Sequence, residues 1–407
     1  MHRPRRYHAR VTLDRPLHPR RDRATLITYG QFAVYGWFLY SFGPSVPLLR
    51  DEYGVTSTVA ALHATLIALA SLLIGLGASR MVKHLGRGGS LRSGSILLII
   101  GLLIYTSGHS LAVTMLGAFV AGLGGGVVVV FGNAHLSAHQ GEAAPSALSE
   151  AAMMSAVFGM IAPLALGLGV AIGWGWRPGL MVAALGILAL ELLRGPTTAF
   201  NDAEIPHDQI PEPVPLPHLF WWAWGVLVCL VGVEFCLVLW SSDLLRLRGG
   251  FGPGAAAASL TSVVAGMAVG RGVGSVMARR LNTERLLMGA IALAFVAFGA
   301  AWMSNGALPI LLALFATGCG VGLHWPLGIS RAIRATNHQA DRASARVVVG
   351  AGLASGGAPF ILGALADAFG VHTAFLVVPV LLVIALALVI ARPVSIGPIG
   401  AIPAIPL

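Results

Sequence analysis

The 407-residue chain is 56% hydrophobic and 10% charged, against roughly a quarter charged residues in an ordinary soluble domain. A chain of this length and composition cannot cover its apolar surface in water, which excludes a soluble enzyme or binding domain. The formal charge of +10 invites a nucleic-acid partner, but Arg3, Arg5, Arg6, Arg10, Arg15, Arg20, Arg21 and Arg23 all lie at or before the start of the first apolar run. There they read as the orientation signal of a first membrane helix.

The apolar runs are too long for barrel strands of about ten residues and do not alternate in polarity. They suit helices crossing a hydrocarbon core of about 30 Å. In chain order they predict twelve transmembrane helices, over 25–48, 57–79, 93–109, 111–136, 148–172, 177–194, 220–243, 255–278, 286–304, 309–331, 346–369 and 373–392. The Arg-rich start lacks the short apolar core and small-residue cleavage site of a signal peptide, so the N-terminus is expected to stay in the cytoplasm. With that orientation, 21 of the 26 basic residues fall in cytoplasmic tails and loops and four, Arg50, Arg177, Arg246 and Arg248, fall outside. The expected organisation is a basic tail (1–24), a six-helix bundle (25–194), a Pro-rich acidic cytoplasmic linker (195–219), a second six-helix bundle (220–392) and a Pro-rich tail (393–407).

The halves repeat. Adding 196 carries Gly122, Gly124 and Gly126 onto Gly318, Gly320 and Gly322, and carries Pro163 and Gly167 onto Pro359 and Gly363. An even number of helices separates the copies, so they share one membrane orientation, as parallel repeats do. Gly266, Gly270 and Gly274 recur every four residues, a spacing that lets helices approach closely.

After the second predicted helix the chain reads Ser79, Arg80, Lys83, His84, Gly86 and Arg87, and in the second half Gly270, Arg271, Gly274, Ala278, Arg279 and Arg280. The fifth helix carries Ala162, Pro163 and Gly167, followed by Trp176 and Arg177. In order, spacing and repetition these motifs resemble those of the major facilitator superfamily, and the resemblance runs from Thr25 to Arg392. Ser79 and Lys83 stand where the family has glycine and aspartate, so the gating ion pair built on that aspartate does not carry over. A narrower likeness, to the fucose-permease and related sugar and drug members, rests on the Gly-rich fourth helix ending at Asn133 and on Glu234 and Trp240 of the seventh. The resemblance implies an all-α membrane protein of two parallel six-helix repeats, working as a monomer in a bacterial-type cytoplasmic membrane without cofactor or metal. Its partners are then the lipid bilayer, a small-molecule substrate and a coupling proton, with no nucleic acid.

In that family the first, fourth, seventh and tenth helices line the central cavity. An ionisable side chain there costs about 2.5–3.5 kcal/mol on insertion scales unless paired or hydrated, and Glu234, in mid-span on the seventh helix, is the candidate proton-coupling group. Gln31, Tyr35, Asn133, His135, Trp240, His324 and Trp325 are the candidate cavity residues. Each has packing or an interhelical hydrogen bond as its alternative. Arg271 is expected to be structural, with its head snorkelling to the cytoplasmic interface. That leaves no basic residue at mid-membrane on a cavity helix, which disfavours phosphates and dicarboxylates and favours a neutral or weakly cationic, partly apolar solute. Asp243 is expected to be a solvated loop charge beside Arg246 or Arg248, and Glu150 a carboxylate at a helix N-terminus. Cys229, Cys236 and Cys319 lie inside apolar runs and support neither a disulfide framework nor a zinc site. No nucleotide-binding loop or nucleophile triad is present, so the sequence points to a secondary transporter and not to an enzyme. The alternative is a membrane receptor that keeps the fold without transport.

Overall fold

The computed structural model describes residues 19–195, 215–278, 280–336 and 340–394. The outer parts of both tails, most of the linker and Arg279 lie outside the described residues. The described chain forms twelve long helices: α1 Arg23–Tyr53, α2 Ser57–Ala78, α3 Arg80–Ser107, α4 Leu111–Gln140, α5 Ser146–Ala171, α6 Arg177–Arg194, α7 His218–Gly249, α8 Pro253–Met277, α9 Thr283–Met303, α10 Ala307–Arg334, α11 Arg346–Phe369 and α12 Val371–Ala391. Ten are long and apolar enough to cross a membrane on composition alone. The other two, α1 and α6, carry more polar residues, and α1 buries its Thr25, Thr28, Gln31, Ser41 and Ser45 against its neighbours.

Local chemistry sets the ends of these helices. Asp22 accepts from the Thr25 amide at the start of α1, and Thr56 accepts from the Val59 amide at the start of α2. Both satisfy donors that a helix N-terminus leaves open. Gly54, at φ 60°, ends α1, and Gly250, at φ 70°, ends α7. The left-handed turn each makes is cheap only without a Cβ. These two glycines are also 196 residues apart. Gly86, at φ 68° and ψ 172°, breaks an otherwise continuous helical stretch, Ser57–Ser107, so the expected α2–α3 loop is a kink. The predicted tenth span is likewise divided, into Ala307–Val321 and His324–Arg334.

The repeat is also one of packing. A Cβ on Gly122 would run into Ile67 of α2, and one on Gly318 into Val263 of α8. Gly124 lies against Leu98 of α3, and Gly320 against Ala290 of α9. Corresponding glycines therefore bring corresponding helices together in each half. Gly266 and Gly270 do the same between α8 and α10, where they meet the carbonyls of Phe315 and Cys319.

Equivalent contacts also join the halves. Gly167 of α5 abuts Gly254 at the start of α8, and Gly363 of α11 abuts Ser57 at the start of α2. Around them, Asp367 of α11 accepts from the Ser57 and Thr58 amides at 2.8 Å each, capping α2 from the opposite half. Thr65 donates to the Gly356 carbonyl at 3.2 Å, and Thr261 to the Met160 carbonyl at 3.0 Å. The two outer salt bridges of α1 and α7, Arg50 with Asp243 and Arg246 with Asp51, lie at the same end. Arg23 bonds the Leu193 carbonyl, which places the start of α1 and the end of α6 together at the other end, where the linker leaves. The bundle is clasped at the far end.

Candidate functional site

Between the halves, α1, α2, α7 and α11 surround a cavity of about 70 Å3. Leu39, Phe42, Ile67 and Val238 supply apolar walls, and Tyr35, Ser71 and Ser355 supply hydroxyls. The α1 and α7 backbones touch beside it, since a Cβ on Gly43 would overlap the Val238 carbonyl.

Glu234 projects on the other side of that contact. It is half-buried and sits at the middle of α7. Its carboxyl interacts with the Tyr40 hydroxyl of α1 and with the charge of Arg271 on α8, and the Arg271 guanidinium in turn interacts with Tyr40. Arg271 Nε also donates to the Gly322 carbonyl of α10 at 3.2 Å. The Arg271 head is thus tied to α10, within electrostatic range of the Glu234 carboxyl. The physical reason is the direction of the side chain. Helical side chains lean toward their helix N-terminus, and α8 begins at the far end, so Arg271 leans back into the bundle. The expected place of Asp243 as a solvated loop charge is corrected: it is 5% exposed and bonds Arg50 of the other half at 2.5 Å, with Arg246 of its own helix at 3.9 Å.

The other expected cavity residues are dispersed. Tyr35 lines the cavity. Gln31 is buried and donates to Ser95 Oγ of α3 at 2.9 Å. Trp240 is buried, donates to the Pro359 carbonyl at 3.0 Å and holds the Arg50 guanidinium 5.8 Å from its ring centre. His135 is buried and stacks on His139 with ring centres 5.1 Å apart, and His139 bonds Asp22 at 2.6 Å, which places this group near the linker end. His324 is buried, and neither of its ring nitrogens has a hydrogen-bond partner among the described residues. Trp325 packs among α7, α10 and α11 side chains such as Leu227 and Val347, and Asn133 is exposed. Of the motif residues, Arg80 and Lys83 are exposed, and Arg87 flanks the Gly86 kink. Sequence reasoning missed Tyr40, Ser71 and Arg50 as parts of the seam. The available signal for Tyr40 was a second tyrosine on a helix already rich in polar residues. Among the described residues no group of three or more His, Cys, Asp or Glu side chains could hold a metal.

Residues 28–340 match the family model of the Major Facilitator Superfamily. No curated protein matches the sequence. Among solved structures, the chain is similar to a variant of the E. coli fucose:proton symporter FucP, at 17% identity and TM-score 0.60, over 91% of this chain and 100% of that one. It is similar to a bacterial homolog of the human lysosomal transporter Spinster, at 14% identity and TM-score 0.71, over 91% and 96%. It is also similar to a D-xylose-proton symporter, at 11% identity and TM-score 0.73, over 90% and 96%. At these identities the structural likeness shows the fold alone. The family model nonetheless spans well over half of the chain, and the twelve-helix, two-repeat architecture agrees with it: the chain belongs to the major facilitator superfamily of secondary transporters.

Proposed function

We propose that this transporter moves a small organic solute across a bacterial-type cytoplasmic membrane by alternating access, driven by protons that bind Glu234. The observation that carries the reading is the half-buried Glu234 carboxyl at mid-helix, within electrostatic reach of Tyr40 of the opposite half and Arg271 of its own. A carboxylate there is stabilised by the arginine charge, and a proton on Glu234 removes that attraction and frees Tyr40 and Arg271 to rearrange. Protonation thus biases a contact that spans the moving seam, which is what coupling requires. Because the acidic and basic groups neutralise each other, a solute with little net charge fits best. The distribution of basic residues supports a cytoplasmic linker end, so the clasped far end is read as facing away from the cytoplasm, with the protein acting as a monomer.

Proteoliposomes loaded with a pH-sensitive dye and exposed to a panel of sugars and small neutral organic solutes test this reading. Solute-evoked proton movement is expected in the wild type and is lost in Glu234→Gln, while solute counterflow persists. Unchanged proton movement in the variant contradicts the coupling assignment.

A further inference from the structure

On the outer face of the second bundle, α8, α9 and α10 leave an apolar groove of about 360 Å3. Val269, Val273 and Met277 of α8 and Leu293 of α9 form its exposed walls. Its floor is Cys319 and Leu323 of α10, against which Gly270 and Gly274 let α8 close. Gly289 of α9 borders the space, and no heavy atom stands within 4 Å of where its Cβ would be, so no side chain fills the groove there. From Arg285 to Leu293 α9 rises about 12 Å, most of the roughly 15 Å of hydrocarbon in one leaflet.

The linker end of this groove is cationic. Its one charged lining residue is Arg285, and Arg280, in the turn that joins α8 to α9, is exposed beside the lining Leu281. Among the described residues neither guanidinium has a hydrogen-bond or ion-pair partner. Arg285 stands in the first turn of α9, where the helix dipole disfavours a cation, so it does not serve the helix. The acid next to it, Glu284, is buried and accepts from Arg331 Nε at 2.8 Å, which turns its charge away from the mouth. We propose that the groove is a lipid site: it holds one acyl chain of an anionic phospholipid, with the phosphate against Arg285 and Arg280. The walls offer the chain dispersion contact over nearly its full depth, and an arginine fork pairs with phosphate oxygens. A zwitterionic lipid brings its own ammonium and forfeits part of that attraction. The site is independent of how transport is coupled.

Native mass spectrometry of the delipidated full-length protein in neutral detergent tests the site, with dioleoyl phosphatidylglycerol and dioleoyl phosphatidylcholine titrated in competition. One phosphatidylglycerol is expected to be retained at about tenfold lower concentration than phosphatidylcholine, and glycerol 3-phosphate alone is expected not to displace it. The Arg280→Gln/Arg285→Gln double variant should lose the preference between the two lipids. Gly289→Leu, which puts a side chain into the groove without meeting a neighbour, should weaken retention of both. Arg80→Gln/Lys83→Gln, which removes exposed charge from the first bundle at the same end, should behave as the wild type. Equal retention of the two lipids, an unaltered preference in the double arginine variant, or unaltered retention in Gly289→Leu overturns the site. Displacement by glycerol 3-phosphate shows a phosphate site without a chain, loss of preference in Arg80→Gln/Lys83→Gln shows a general basic surface, and a dimer in place of the lipid complex shows a second copy on the groove; each overturns it as well.

Discussion

The Arg50 guanidinium holds the Asp243 carboxylate across the seam, Nη1 to Oδ2 at 2.5 Å and Nη2 to Oδ1 at 3.2 Å. Its counterpart 196 residues on, Arg246, reaches back to Asp51 of the first half at 2.5 Å. The far end is therefore closed by two crossed ion pairs whose arginines the internal repeat places in matching positions, while their carboxylates, Asp243 and Asp51, have Pro47 and Leu247 as counterparts.

The two pairs differ in strength because they differ in burial. Asp243 has 4% of its side chain exposed and Arg50 17%, against 38% and 30% for Asp51 and Arg246. Leaving one member of the buried pair alone costs on the order of 2–5 kcal/mol, whereas a solvated pair is worth about 0–1 kcal/mol. Thermal denaturation of Arg50→Ala, Asp243→Ala and the double variant should show the double losing clearly less than the sum of the singles. The same cycle on Asp51 and Arg246 should be close to additive.

The matched glycines give a test of symmetry. Gly167 and Gly363 meet the starts of α8 and α2 with backbone close on both sides, so Gly167→Val and Gly363→Val should each prevent closure of the far end, and by similar amounts. Reactivity of a cysteine introduced at Ser241, which is buried beside the latch, with a water-soluble maleimide is the readout. Both variants should raise it together; a large effect from one and none from the other would show that the halves do not close as equivalents.

The twelve spans and the repeat were legible in the sequence because both depend on local quantities, apolar length and a constant offset. The seam was less so. Asp243 has two arginines within five residues, yet its partner is Arg50, 193 residues away, and no local pattern encodes that choice. Arg271 donates to the Gly322 carbonyl of α10, a contact that its position along α8 does not reveal. Trp240 and Gln31 carry polar tips that suggest a cavity, but Pro359 and Ser95 already satisfy them. Glu234 and Tyr35 stand out in the sequence because an ionisable or amphipathic residue in mid-helix is costly wherever it does not face a void or a partner.

At the linker end, outside the membrane-spanning segments, burial alone would raise the pKa of Asp22, but hydrogen bonds from the Thr25 backbone and from His139 outweigh it and hold the carboxyl below its ordinary range. A folded-state value below the unfolded one adds stability at pH values above the unfolded value and loses it as pH falls through the folded value. Asp22→Ala should lower the melting temperature at neutral pH, by about 1 kcal/mol of cap energy. The gap between variant and wild type should narrow below the usual aspartate range, and a gap that stays constant on acidification would contradict this role.

The central claim is that the halves rock as two rigid bundles about their seam. Double electron–electron resonance on full-length protein in nanodiscs tests it most directly, with one spin-label pair at Thr56 and Leu247 across the far end and a second pair at Lys83 and Arg280 across the linker end, each recorded in the native background and in Asp243→Asn. Loosening the latch should lengthen the far-end distance and, in the same sample, shorten the linker-end distance. A far end that opens while the linker-end distance stays fixed would contradict the claim.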